Sequence, residues 1–188
     1  MSAVAMTVRN KIHPHKFTLW VGIGSILMMF AGLTSAYIVK RNQANWMSFD
    51  LPLAFWYSTA VIIVSSITIR AALSAFKDRQ MSRYRSLTVA TVILGMIFLI
   101  LQVWGFKQLW TIGLTLQSNV SISFLYVIVG LHAIHVIGGI IVLIVLSLKA
   151  FSSKFRNYSA MPVELVNTYW HFVGILWIYL LIFLLMIR

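Results

Sequence analysis

The stretch SISFLYVIVGLHAIHVIGGIIVLIVLSL, residues 121–148, contains no Asp, Glu, Lys or Arg. As a helix it would be about 40 Å long, more than the roughly 30 Å of a bilayer's hydrocarbon core. Such a run cannot be a surface helix of a soluble domain. Working outward, four more apolar runs of spanning length lie at residues 17–39, 53–73, 87–106 and 163–187. The expectation is an all-α integral membrane bundle of five transmembrane helices. A cytoplasmic N-terminal tail would occupy residues 1–16 and a single membrane domain residues 17–188. The first run is too long for the apolar core of a cleaved signal peptide, so the N-terminus is expected to be retained.

Composition agrees. The chain has 188 residues, 61% of them hydrophobic and only 10% charged. A soluble domain is about half apolar and a quarter charged. There is no cysteine, which excludes disulfides, thiolate metal sites, Fe–S clusters and cysteine nucleophiles. Pro14, Pro52 and Pro162 all fall at helix entrances, where the N–H that proline lacks would have no partner anyway.

The net charge of +12 would suggest nucleic acid in a soluble protein. Here the basic residues fill short gaps between apolar runs, so they are read as topology signals and lipid-headgroup contacts, with no nucleic-acid partner. Arg9, Lys11, Lys16, Lys77, Arg79, Arg83, Arg85, Lys149, Lys154 and Arg156 fall on one side. Lys40, Arg41, Lys107 and Arg188 fall on the other. Arg70, inside the end of the second run, can snorkel to the richer side. The positive-inside rule then puts the N-terminus in the cytoplasm and the C-terminus outside.

The three acids have ordinary explanations. Asp50 stands where it could cap the second helix, Asp78 lies in a basic loop, and Glu164 suits the dipole of the fifth helix's first turn. No carboxylate lies at membrane depth, which argues against a self-contained proton path or a small transporter. Three histidines lie in the runs. His132 and His135, at i, i+3, share one face of the fourth helix, and Gly139 continues that face. His171 lies in the fifth run at a depth similar to His135. Two readings stay open on the residues alone: ligation of a haem or metal between helices, or ring packing and hydrogen bonding.

The remaining polar groups read as packing. Ser58, Thr59, Ser65, Ser66 and Thr68 line the second helix, ready to bond across helices or back to the backbone. Gln102 is a lone polar group in the third. Trp20, Trp46, Trp56, Trp104, Trp110 and Trp170 read as an interfacial belt. Gly22, Gly24, Ser25 and Gly32 form a small-residue face on the first helix, suited to close helix contact. No phosphate-binding loop, nucleophile elbow or HExxH motif occurs.

Two motifs carry a family resemblance. They are Gly130-Leu131-His132-Ala133-Ile134-His135-Val136-Ile137-Gly138-Gly139 and Tyr169-Trp170-His171-Phe172-Val173 followed by Trp177. With Leu19-Trp20, Ala36-Tyr37, Ser58-Thr59, Ser65-Ser66 and Leu101-Gln102 in order before them, the sequence resembles subunit III of the haem–copper terminal oxidases, in its five-span form. The resemblance covers nearly the whole chain. It implies a non-catalytic accessory subunit of an aa3-type cytochrome c oxidase, in a bacterial cytoplasmic membrane. It implies no cofactor in this chain, with haem a and copper in partner subunits. The chain would pack on the catalytic subunit I, hold phospholipid and help keep the complex stable through turnover. The membrane histidines, Trp170, Gly139, Ser25 and Gly32 would be lipid-contact or helix-packing groups. A quinol oxidase subunit III and the accessory subunit of nitric oxide reductases share the architecture and stay open, as does, in another class, a bis-histidine b-type cytochrome.

The departures are specific. Acids that the family usually carries are replaced by Ile26 after Ser25, by Gly105 after Gln102, and by Gly174 after Val173. The first has been linked in the family to proton uptake, and no such role is carried over to Ile26.

Overall fold

The computed structural model describes residues 14–41, 51–115, 119–151 and 159–187. They form five helices: α1 Pro14–Arg41, α2 Leu53–Lys77, α3 Met81–Thr111, α4 Val120–Phe151 and α5 Met161–Ile187. All five are long and apolar enough to cross a membrane. Helices are what such a sequence must form, because lipid offers no partner to a free N–H or C=O. Each helix covers its apolar run and overshoots it by up to six residues at an end. Backbone bonding does not stop where the side chains turn polar, so Arg83 and Arg85 lie in the opening turns of α3 rather than in a loop. Pro14 and Pro162 stand in first turns and Pro52 caps α2. Asp50, expected as that cap, lies outside the described residues.

Two helices end in the same motif. Gln80 N–H reaches Ala75 O at 2.9 Å and Arg79 N–H reaches Phe76 O at 3.1 Å. At the end of α3, Leu114 N–H reaches Leu109 O and Gly113 N–H reaches Trp110 O, both at 3.0 Å. This is the Schellman closure, which needs one left-handed residue. Gly113 takes it at φ 83, but Arg79 takes it at φ 57, without glycine's freedom.

Helices α2, α3, α4 and α5 close a ring in which α2 packs on α3 and α5, and α4 on α3 and α5. Helix α1 rests on the α4–α5 seam and touches neither α2 nor α3. Half of the apolar window of α5 is buried, against 17% for α1. The core is aromatic: Trp170, Trp177, Tyr37, Phe30, Phe55 and Phe98 are all fully buried. Edge contacts link Phe98 to Trp177, and Tyr37 to Phe124 and Phe183, a geometry that ring quadrupoles favour.

Candidate functional site

Four of the five polar side chains expected to line α2 make hydrogen bonds across helices. Ser58 Oγ accepts from Gln102 Nε2 of α3 at 2.8 Å, and Thr59 Oγ1 accepts from Trp177 Nε1 of α5 at 2.9 Å. Ser65 Oγ accepts from Trp170 Nε1 at 2.9 Å, and Thr68 Oγ1 bonds Thr91 Oγ1 of α3 at 2.9 Å. Ser58, Thr59 and Thr68 also donate to carbonyls in their own turns. One helix thus ties α3 and α5 to itself at four levels. Each such bond is worth about 0.6 kcal/mol on average in a membrane bundle, so it is the ladder that matters.

Trp170 corrects its assignment to the interfacial belt. It is 1% exposed. Its ring lies between α3 and α4, over two glycines. A Cβ at Gly95 would sit 2.8 Å from Trp170 Cη2, and a Cβ at Gly139 3.1 Å from Trp170 Cε3. Gly139, like Gly95, thus lies against the Trp170 ring. Gly95 escaped the sequence reading because a lone glycine in an apolar run has no signature until its neighbour is known. Trp20, Trp56, Trp104 and Trp110 do face outward, and Trp46 lies outside the described residues.

The three membrane histidines occupy three environments. His132 is fully buried among Phe30 of α1, Phe98 of α3 and Trp177 of α5, with ring centroids 6.4, 6.0 and 5.2 Å away. Neither of its ring nitrogens has a partner among the described residues. His135 is half-buried, its Nδ1 2.7 Å from Leu131 O and its ring against Phe30. Its own carbonyl accepts from Tyr169 Oη at 3.0 Å. That bond ties α4 at His135 to α5 two residues before His171. The faces differ, however. His135 turns to α1, while His171 lines a groove with α2. Among the described residues no group of three His, Asp or Glu could hold a metal ion.

The first helix holds a second correction. Gly22, Ser25 and Gly32 are exposed, and a Cβ on Gly22, Gly24 or Gly32 would meet nothing within 4 Å. The small-residue face makes no close contact with another helix of this chain. The opposite face, with Ile23, Phe30, Thr34 and Tyr37, is the buried one, and Thr34 Oγ1 bonds Tyr179 Oη of α5 at 3.1 Å. Large side chains win this seam because they fill more volume against α4 and α5.

Each of the three positions without the family's acid is now occupied differently. Ile26 is half-buried in an α1–α5 groove beside Leu165 and Tyr169. Gly105 is buried with Phe55 Cε1 3.0 Å from where its Cβ would be. Gly174 is buried with Ser66 Oγ at 3.2 Å on the same measure.

The end where α1 begins and α2 stops is basic. Glu164 Oε2 pairs with Lys16 Nζ at 3.2 Å and Glu164 Oε1 with Lys77 Nζ at 3.3 Å. The acid expected to serve its own helix dipole also joins three helices. Arg85 Nε donates to Ala150 O at 2.7 Å and its guanidinium lies 5.5 Å from the Phe151 ring. It satisfies a carbonyl that the last turn of α4 leaves open.

Fold and site together define a polytopic membrane protein whose second helix is hydrogen-bonded to α3 and α5. Comparison with known proteins narrows the class. Residues 43–187 match the family Cytochrome c oxidase subunit III. The probable cytochrome c oxidase subunit 3 of Mycobacterium tuberculosis (strain ATCC 25618 / H37Rv) is 31% identical, over 96% of this chain and 95% of its own. The cytochrome c oxidase subunit 3 of Corynebacterium diphtheriae is 32% identical over 86% and 85%. That of Bacillus subtilis (strain 168) is 26% identical over 86% and 80%. This chain belongs to the cytochrome c oxidase subunit III family. It is an accessory subunit of an oxidase complex and an integral membrane protein. The names of these relatives favour cytochrome c oxidase over the quinol oxidase and nitric oxide reductase readings.

Proposed function

We propose that this chain is a scaffold in an aa3-type oxidase. It packs on the catalytic subunit I, holds phospholipid and prolongs the life of the complex through turnover. The haem a and copper that reduce O₂ would belong to partner subunits. The supporting observation is the α2 ladder: Ser58, Thr59, Ser65 and Thr68 are engaged by Gln102, Trp177, Trp170 and Thr91. Polar groups at membrane depth usually mark a substrate or proton route, and here they hold helices together. His132, His135, His171, Trp170 and Gly139 then act through packing or lipid contact. Ser25 and Gly32, on the outward face of α1, would meet lipid or a neighbouring subunit. Ile26, Gly105 and Gly174 leave the chain without the family's buried acids, so proton uptake would run through other subunits.

Lys16, Lys77, Arg79, Arg83, Arg85 and Lys149 crowd one end of the bundle, against Lys40, Arg41 and Lys107 at the other. By the positive-inside rule the crowded end, with the N-terminus, faces the cytoplasm of a bacterial cell. The test is a reduced-minus-oxidised visible spectrum of the complex purified on a tag on this chain. An a-type haem signal is expected. A b-type signal alone, stoichiometric with this chain, would overturn the reading and return His135 and His171 to ligation.

A further inference from the structure

The turn between α2 and α3 is short and tightly held. Asp78 N–H bonds Ser74 O at 2.9 Å, Arg79 N–H bonds Phe76 O at 3.1 Å and Gln80 N–H bonds Ala75 O at 2.9 Å. Met81 N–H returns to Arg79 O at 3.0 Å. Below the turn the Phe76 and Tyr84 rings meet edge to face, their centroids 5.0 Å apart. The backbone at Arg79 is therefore fixed, and it is fixed at φ 57, a conformation that favours glycine. A bulkier residue kept there points to a task for its side chain. Membrane topology does not supply that task, because a cation at any position of the turn serves the positive-inside rule equally well.

The Arg79 side chain is exposed and has no ion pair or hydrogen bond among the described residues, even with the adjacent Asp78. The other cations of this end are placed differently. Lys16 and Lys77 hold Glu164, and Arg85 holds Ala150 O and lies against Phe151. Arg83 and Lys149 are exposed but stay close to the apolar runs. Lys149 directly follows residue 148, and Arg83 lies four residues, about 6 Å, before residue 87. Arg79 is six residues past the run of α2 and eight before that of α3, hence about 9–12 Å outside the hydrocarbon. The headgroup layer is only roughly 5–8 Å thick on each side. Arg83 and Lys149 thus sit among headgroups, while Arg79 stands above them, where water and neighbouring protein are its surroundings.

We infer that Arg79 is the tip of a docking surface for an acidic segment of a neighbouring subunit, its guanidinium taking one carboxylate bidentately. The fork of donors matches the two oxygens of a carboxylate. Arginine is enriched among the residues that dominate interfaces, and a turn already held rigid loses little freedom on binding. The inference rests on the reading of the chain as a scaffold and names one contact by which it holds a neighbour.

The experiment uses the whole oxidase complex, purified on a tag on the haem-bearing subunit in mild detergent with phosphatidylcholine. Retention of this chain is followed as salt is raised. Arg79→Gln removes the charge and keeps the backbone strain, whereas Arg79→Gly removes both. Each should weaken retention about tenfold at low ionic strength. Arg79→Lys should lose less, and Lys40→Gln, at the opposite end, nothing. A residue that only shapes the turn behaves otherwise: Arg79→Gly would then hold the chain as well as the wild type or better, and that result overturns the contact. A carbodiimide next joins the amine introduced by Arg79→Lys to the carboxylate it faces. A cross-link to an Asp or Glu of another subunit, not seen with arginine at position 79, is expected. A cross-link to no other subunit overturns the contact. A loss of retention that appears only when phosphatidylglycerol is added assigns Arg79 to headgroups and also overturns it. These results leave the scaffold reading standing. A haem a complex that sustains turnover equally well without this chain overturns both.

Discussion

Glycine has opposite value at different places in this bundle. At Gly95 a methyl group would meet the Trp170 ring at 2.8 Å, whereas at Gly32 it would meet nothing within 4 Å. Gly95→Ala should cost about 1–3 kcal/mol by overpacking, while Gly32→Ala should stay within about 0.5 kcal/mol. Thermal unfolding of the subunit in detergent distinguishes them, and equal effects would contradict the packing assigned to Trp170. His132 poses another question. Leucine there removes two ring nitrogens without partners but loses contacts with Phe30, Phe98 and Trp177. These changes oppose one another, and the net should lie within about 1 kcal/mol. Turnover per assembled complex should not change in His132→Leu, and its abolition would give the ring a part in the reaction. Trp170 itself was legible as a motif member but not as a core residue. Its neighbours Tyr169 and His171 are polar, and a tryptophan at a span end suits a headgroup layer equally well.

Among the elements, the turn from α2 to α3 carries a cost that α3 avoids at its own end. Arg79 holds the left-handed position that Gly113 holds after α3. Arg79→Gly should therefore stabilise the chain by up to about 1 kcal/mol, read as a raised melting midpoint. No change would mean that the backbone already relaxes there. Glu164 binds α5 to α1 and α2 through two partly exposed pairs. Glu164→Gln should cost no more than about 1 kcal/mol at low salt, and the difference should fade at high ionic strength. A loss that salt does not touch would point to a role beyond the ion pairs. The helices themselves were legible because long uncharged runs allow little else, whereas their overshoot was not. Helix ends follow backbone bonding and capping, as the Schellman turns at Arg79 and Gly113 do, and not the polarity of side chains.

For the whole molecule, the ring of α2 to α5 with α1 outside it bears on assembly. The outward face of α1 carries Ser25, Met28 and Gly32, all exposed. If the chain acts as a scaffold, its removal should leave the haem a spectrum of the remaining complex intact and shorten the period over which turnover is sustained. A lost spectrum would make the chain necessary for cofactor insertion instead.

The sequence alone determined the number of spans, their order and the crowding of positive charge at one end. Through the paired-histidine and Tyr-Trp-His-Phe-Val motifs it also pointed to the family. These follow from composition along a line, since lipid forces every apolar run of sufficient length into a helix. Tertiary structure decided which face of each helix is shared. It turned the small-residue face of α1 outward, drew Trp170 between Gly95 and Gly139, and parted His135 from His171 by aiming them at different helices. It also set Arg70 across a groove from His171, a hundred residues away in the chain. In a bundle where most side chains are apolar, hydrophobicity does not distinguish an inner face from an outer one. Volume, close packing and a handful of hydrogen bonds do, and these act only once the helices are together.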